Sequence, residues 1–294
     1  AAFLLPILSH LAINPDTMSV LIMAPTRELA QQINDEVRKF SNGMRLYSTV
    51  VVGGANIDRQ IRDIKRRPHI IIGTPGRLKD LIDRGALRLD TISHFVLDEA
   101  DRMLDMGFIA DIRRVASLLP DKRQTLCFSA TITPAIQTLI HEFLKNPETV
   151  SVRTGETSDH VLQDIVVATD KAHKHILLTD MLSKDEFEKV LVFGETKFGV
   201  QRLSDSLSNA GIKSEAIHGN KSQSQRQRAL NAFKTNNVRV LVATDVAARG
   251  LDIPNVSHVI NFDTPATYED YVHRIGRTGR AGAHGTAYTF VDKR

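Results

Sequence analysis

The sequence predicts an α/β protein built as two tandem domains, each a parallel sheet with helices on both faces. Three observations carry this expectation. Short β-branched runs alternate with longer stretches whose apolar residues recur at helical spacing. The length of 294 residues suits about two domains of roughly 150 residues each. A local pattern also recurs: a strand ends in Thr26–Arg27 and again in Thr196–Lys197, and a second strand ends in Thr74 and again in Thr244, with the same spacing in both halves.

In the first half, residues 20–24, 48–52, 69–73, 94–97 and 125–129 read as buried strands, apolar or β-branched with little alternation. Residues 28–40, 57–66, 77–84 and 109–118 read as the helices between them, because their apolar residues fall three or four apart. The pattern stops at 151–160, a stretch rich in Thr, Ser, Gly and charge. The domains are therefore expected at 1–150 and 161–294, with 151–160 as linker. Strands resume at 165–168, 190–193, 214–217, 238–243, 258–261 and 286–291.

Composition narrows the function classes. Hydrophobic residues at 42% and charged residues at 24% exclude wholesale disorder and a coiled-coil rod. No apolar run approaches the ~18 residues that cross a bilayer, and no signal-peptide pattern opens the chain, so no membrane partner is expected. The single cysteine, Cys127, permits neither an internal disulfide nor a cysteine cage; it reads as inert core in a cytoplasmic protein. Lys and Arg number 38 against 34 Asp and Glu, for a net charge of +4, which suits a polyanionic partner. Aromatic residues are 5% of the chain with no Trp, so a nucleic acid would be gripped by its backbone instead of being stacked on a platform. His173 and His175 have no acidic or cysteine cluster at metal-ligand spacing and read as a solvated basic segment.

Two motifs carry chemistry. Phe95, Val96 and Leu97 lead into Asp98, Glu99, Ala100 and Asp101, which places three carboxylates at the carboxyl end of a buried strand. Open α/β sheets hold their ligands there, and in nucleotide hydrolysis one such acid holds Mg²⁺ while a neighbour orients the attacking water. A helix cap would explain any one of these acids, but not three together. The second motif runs from His273 to Gly282 and sets Arg274, Arg277 and Arg280 among glycines, a pattern made for phosphate. A finger of this kind is worth about 10³ to 10⁵ in rate; alone, the segment would equally suit a solvated loop or a nucleic-acid backbone contact.

With PTRELA at 25–30, TPGR at 74–77, DEAD at 98–101, SAT at 129–131 and ARGLD at 248–252, the chain resembles the DEAD-box RNA helicases, superfamily 2 ATPases with two RecA-like domains. The resemblance covers essentially the whole chain in the family's order. Residues 218–230 (HGNKSQSQRQRAL) and 106–115 look most like the bacterial RhlE branch. The resemblance implies ATP and Mg²⁺ as cofactors. Asp98 would bind Mg²⁺ through water, Glu99 would position the hydrolytic water, and Asp101 would couple the acidic loop to Ser129, Thr131 and His273. Arg277 and Arg280 would be phosphate-binding fingers, with Gly250 and Asp252 near the γ-phosphate and ribose. Each half would hold part of one site, so hydrolysis would require a cleft to close.

The resemblance also implies single-stranded RNA contacts at Pro25, Thr26, Arg27, Gly53, Gly54, Thr74, Pro75, Gly76 and Arg77, and at Thr196, Lys197, Gly219, Gln223, Arg226, Thr244 and Asp245. Such residues suit phosphate oxygens and carry no base code; any one of them alone would pass as an ordinary turn or cap. The ribose 2′-hydroxyl offers the route to preferring RNA. The expected partners are single-stranded and short duplex RNA bound without sequence preference, with ribosomal or RNA-decay complexes beyond them, and the expected state is a monomer.

One departure stands out. No G-x-x-x-x-G-K-[ST] loop occurs in the sequence, and in the family's pattern Ala1 lies just after that loop and its upstream glutamine. The resemblance therefore implies a fragment clipped at both ends and ATPase-deficient as it stands, whose first sheet exposes an edge where a strand is missing. Two other classes compete: a non-enzymatic RNA-binding remnant and a superfamily 2 DNA helicase. The retained Asp98, Glu99, Arg277 and Arg280 argue against the first, and the joint PTRELA, DEAD and SAT pattern argues against the second.

Overall fold

The computed structural model describes residues 1–16, 18–151, 160–248, 253–279 and 283–293. The chain divides into two compact units, Ala1–Val150 and Ser151–Arg294. Of the expected linker, residues 152–159 lie outside the described residues.

Unit 1 runs α1 (Leu4–Ile13), β1 (Val20–Met23), α2 (Arg27–Phe40), β2 (Ser48–Val51), α3 (Ile57–Lys65), β3 (Ile70–Gly73), α4 (Pro75–Asp83), β4 (His94–Leu97), α5 (Ala100–Asp105), α6 (Ile109–Ala116), β5 (Gln124–Cys127) and α7 (Pro134–Phe143). The five strands form one parallel sheet in the order β2-β3-β1-β4-β5. Successive side chains on a strand face opposite ways, and the central strands show what this achieves. Leu21, Met23 and Ile71 enter one core with α4, α6 and α7, while Val20, Ile22, Ile70 and Ile72 enter another with α1 and α2. Both faces are covered, which is why these strands read as unbroken apolar runs. Helices α2 and α3 start where they do because Thr26 and Asn56 accept the backbone N–H groups of Leu29 and Arg59, at 3.2 and 2.9 Å.

Unit 2 runs β6 (Val161–Ala168), α8 (Lys171–Leu182), β7 (Val190–Phe193), α9 (Lys197–Asn209), β8 (Ser214–Ile217), α10 (Gln223–Lys234), β9 (Val240–Ala243), α11 (Asp245–Ala248), β10 (His258–Asn261), α12 (Tyr268–Ile275) and β11 (Gly285–Asp292). Its parallel sheet has the order β6-β11-β10-β7-β9-β8. Read from its other end, this is the order of unit 1 with one strand added. The repeat therefore holds in topology as well as in sequence: β1 and β7 are the central strands, flanked by β3 and β4 or by β9 and β10. It extends to a detail not noticed in the sequence, a serine hydroxyl 2.9 Å from the Nδ1 of the next histidine at the start of β4 (Ser93, His94) and of β10 (Ser257, His258).

Three sequence expectations are corrected. Strand β5 is not a buried strand; it is an edge of its sheet, with Gln124 exposed and Thr125 to Cys127 half-buried because no strand among the described residues pairs with its outer side. A cavity of about 720 Å³ opens along it, lined by β5, Ile140, Phe143 and residues 144–150. Cys127, expected as core, closes β5 and lines this cavity; burial, then the charges of Asp101 and Asp98, raise its thiol to about 11, so it stays protonated. Strand β6 starts at Val161, four residues earlier than expected, because it too is an edge strand, and exposed Leu162 and Ile165 break the buried pattern.

Candidate functional site

In both parallel sheets the strands point the same way, so the loops that follow them gather along one edge. In unit 1 that edge receives Pro25 to Arg27 after β1, Gly53 and Gly54 after β2, Thr74 to Arg77 after β3, Asp98 to Asp101 after β4 and Ser129 to Thr131 after β5.

The three carboxylates after β4 have three different fates. Asp101 is wholly engaged: one oxygen accepts the backbone N–H of Arg102 at 2.9 Å, and the other accepts Ala130 N, Thr131 N and Thr131 Oγ1 at 3.0, 3.0 and 3.1 Å. Ser129 closes the same loop by donating to the Thr131 carbonyl at 2.7 Å. Glu99 is held by Arg102, whose Nη1 lies 2.6 Å from Oε2. Asp98 accepts the backbone N–H of Glu99 at 3.1 Å and pairs with no lysine or arginine among the described residues. Burial, then the Glu99 and Asp101 charges, push its carboxyl up to about 6. The loop thus carries one recessed carboxylate that no lysine or arginine side chain pairs with among the described residues.

Three neighbouring loops of unit 1 are knitted together. Gly54 has φ +73°, a conformation that a side chain strains, and a Cβ there would overlap the Arg27 guanidinium lying across Gly53 and Gly54. Arg77 donates to the Ala55 carbonyl at 3.2 Å and pairs with Asp80. Gln60, 4% exposed, turns both ends of its amide to Val52, accepting its N–H at 3.1 Å and donating to its carbonyl at 3.0 Å. Sequence reasoning passed over Gln60; its signal was a lone amide on the apolar face of α3. Thr26 caps α2, whereas Thr74, the N-cap of α4, makes no capping bond and its backbone N–H donates to Val51 O. Pro25 and Pro75 are buried and Gly76 is exposed.

In unit 2, Thr196 caps α9 by accepting Gly199 N at 3.0 Å, and Lys197 and Gly219 are exposed. Nearby His218 is 6% exposed, with Nε2 3.0 Å from Gln201 Oε1. Burial, then Lys221, Arg226 and Lys197, lower its pKa, which marks a locally positive surface. His218 Nδ1 and the Gln223 side-chain oxygen are buried without a hydrogen-bond partner among the described residues. Gln223 opens α10 beside a Ser222–Gln225 capping box.

Thr244 and Asp245 lie where β9 gives way to α11, but Asp245 is not a free contact. Both its oxygens take Arg274 (Nε and Nη2, 2.6 Å each), which is 3% exposed and also donates to Asn261 Oδ1 and Asp263 O. The Asp245 carboxylate is therefore committed inside the fold. His273 and Arg277 are half-buried on the turn that ends α12, where Arg277 Nε donates to the His273 carbonyl at 3.3 Å. Gly250, Asp252 and Arg280 lie outside the described residues. His173 Nδ1 accepts Thr169 N at 3.1 Å at the start of α8, and His175 packs edge-on against Phe262; neither is simply solvated.

The described residues contain no cluster of three or more His, Cys, Asp and Glu that could cage a metal. A single recessed carboxylate suits instead a hydrated Mg²⁺ held through water. For a nucleotide the fit is partial, because the sequence supplies carboxylates but no G-x-x-x-x-G-K-[ST] phosphate cradle. Among the described residues, no helix is long and apolar enough to cross a membrane.

The chain matches the family model for the DEAD/DEAH box helicase over residues 1–139 and that for the helicase conserved C-terminal domain over 173–282. It is 46% identical, along its whole length, to the DEAD-box ATP-dependent RNA helicase CshA of Geobacillus kaustophilus and to that of Bacillus licheniformis. It spans 63% and 60% of those relatives' own length. Both are CshA proteins, so the finer resemblance to the RhlE branch finds no support. Among solved structures it is similar to S. cerevisiae Dbp5 bound to RNA and ADP BeF3 (TM-score 0.84, 32% identity, 95% of this chain and 73% of that one). It is also similar to Mss116p bound to ssRNA and AMP-PNP (TM-score 0.88, 32% identity, 99% and 63%).

Proposed function

The chain belongs to the DEAD-box RNA helicase family, and from that premise we propose that the protein couples ATP hydrolysis to RNA binding without sequence preference, separating short duplexes and remodelling ribonucleoproteins. The observation that carries this is the division of labour among three adjacent carboxylates. Asp98, recessed and paired with no lysine or arginine among the described residues, would hold Mg²⁺ through water. Glu99 would orient the attacking water, and Asp101 would fix the Ser129–Thr131 loop beside them. MgATP, when bound, supplies the transferable phosphoryl group and the divalent charge. Arg277 and Arg280 would neutralise charge as that group transfers, with Gly250 and Asp252 at the phosphate and ribose.

RNA would lie along the carboxyl edges of the sheets. A threonine that caps a helix uses an acceptor lone pair and keeps its O–H to donate, so Thr26 and Thr196 can hold a helix and a phosphate oxygen at once. The positive surroundings of His218 support Gly219, Gln223 and Arg226 as further backbone contacts, and the absence of a base-reading pattern supports binding without sequence preference. The relatives' names and the RNA in the Dbp5 and Mss116p structures favour RNA over DNA.

The test is RNA-stimulated phosphate release from ATP, measured on this chain and on a version carrying a phosphate-binding loop ahead of Ala1. Activity in the extended form alone is expected. Turnover in the chain as it stands would mean that unidentified residues bind the phosphates, and absence of turnover from both would remove the assignment.

A further inference from the structure

We propose that Arg102 is a positioning residue for Glu99, clamping the carboxylate so that it presents a fixed oxygen to the attacking water; this rests on the reading of Glu99 given above. Glu99 leaves the sheet in a left-handed conformation (φ 51°, ψ 55°) that side chains adopt at a cost, so the turn that aims it is built deliberately. The backbone alone does not aim the carboxylate, because a glutamate has three further rotatable bonds, and an oxygen that wanders cannot hold water in line. Arg102, one turn along α5 and 6% exposed, supplies the missing restraint through Nη1 at 2.6 Å from Oε2. With one carboxylate oxygen pinned, the other is confined to a short arc. The clamp is itself anchored, since the Arg102 backbone N–H donates to Asp101 Oδ1 at 2.9 Å while Asp101 Oδ2 grips Ala130 and Thr131. Water orientation and the Ser129–Thr131 loop are thus joined through one residue. A guanidinium suits the role because it is planar and never loses its charge.

The experiment is a double-mutant cycle in a full-length protein that carries a phosphate-binding loop, using Arg102→Gln and Arg102→Lys, each alone and combined with Glu99→Gln. Arg102→Gln should lower kcat about 10- to 100-fold with KM for ATP and Kd for RNA unchanged, the loss expected when a reacting group is misplaced. Arg102→Lys should restore part of that rate. In the Glu99→Gln background, Arg102→Gln should cause no further loss under single-turnover conditions, because nothing remains to position. An equal loss in both backgrounds, or an unchanged kcat in Arg102→Gln, overturns the proposal. If Arg102→Gln unfolds, the lysine variant carries the cycle with the same criteria. Absence of RNA-stimulated hydrolysis from the unaltered protein would instead overturn the functional reading beneath it.

Discussion

The same position in the two sheets is built to opposite ends. Strand β4 runs from His94 to Leu97 and releases Asp98 and Glu99; its counterpart β10 runs from His258 to Asn261 and releases Phe262 and Asp263. Phe262 is 4% exposed and packs on Phe290, so the place that holds a recessed carboxylate in unit 1 is sealed with an aromatic ring in unit 2. Asp263 is closed off as well, its carboxylate accepting Glu195 N at 2.8 Å and its carbonyl accepting Arg274. Arg274 completes the closure, answering both oxygens of Asp245 and lying 5.1 Å from the Phe193 ring. A charge cluster at a strand end is therefore no sign of chemistry in itself. What separates the two is where a side-chain cation meets an acid: in unit 2 Arg274 takes both oxygens of Asp245, whereas in unit 1 no lysine or arginine pairs with Asp98 among the described residues.

This contrast can be broken most decisively with paired substitutions at Glu99 and Asp263. Glu99→Gln should lower hydrolysis about 10² to 10⁴-fold, the usual worth of a proton-handling group, with RNA binding kept. Asp263→Asn should leave kcat in place, because its amide oxygen still accepts Glu195 N. A large catalytic loss from the second, or none from the first, would undo the comparison. A smaller but still large effect is expected at Arg274: replacing it with Ala leaves the half-buried Asp245 unpaired and empties a buried site, and should destabilise unit 2 by about 3 kcal/mol, read from urea unfolding and amide exchange in β9 and β10. Pairing Arg274→Met with Asp245→Leu should recover most of that loss, and a deficit as large as for Arg274→Ala would mean that the network does more than balance charge.

The smallest effect sharpens the contrast from the other side. Because the Asp98 pKa is about 6 in the fold against 3.8 for the free side chain, its ionised form is disfavoured by folding. Its contribution is intact where the group is protonated, below about pH 3.8, and is lost as pH rises through about 6. Asp98→Asn should therefore stabilise unit 1 at pH 7 by up to about 3 kcal/mol, with the difference from the unaltered protein vanishing toward pH 4. Amide exchange in β4 measured across that range checks it; a variant equally or less stable at pH 7 would show that the carboxylate is answered after all.

The central strands and the chemical loops were legible in the sequence because both are written locally. Unbroken apolar runs such as 70–72, set between stretches of helical period, read as strands covered on two faces, and Asp98 to Asp101 declare themselves by density of charge. The edges were not legible, since being an edge depends on what fails to pair: β5 read as buried, and β6 lost its first four residues to exposed Leu162. Of the helices of unit 1, α1, α5 and α7 were missed as well, α5 because its 6 residues are too few to show a period, and the helices of unit 2 were not assigned individually. At the site, sequence identifies which residues are polar but not which of them satisfy one another. Asp245 looked available, yet Arg274, 29 residues on, holds it; Gln60 and His218 likewise act through Val52 and Gln201, 8 and 17 residues away, and Arg102 through a Glu99 side chain whose direction the sequence does not specify.

Gln60 shows how one such partner shapes more than its own contact. Strand β2 is an edge strand of only 4 residues, the kind that slides most easily along its neighbour. By binding both the N–H and the carbonyl of Val52, the Gln60 amide ends the ladder as a one-residue mock strand. A slip of β2 by a single residue would present the amide with Val51 or Gly53 and drive Val51 out of the core it fills onto the opposite face of the sheet. The same bonds deny a second chain its foothold at that end of the sheet, so a residue that steadies the Gly53–Gly54 turn also acts as a register stop and a guard against strand-to-strand aggregation.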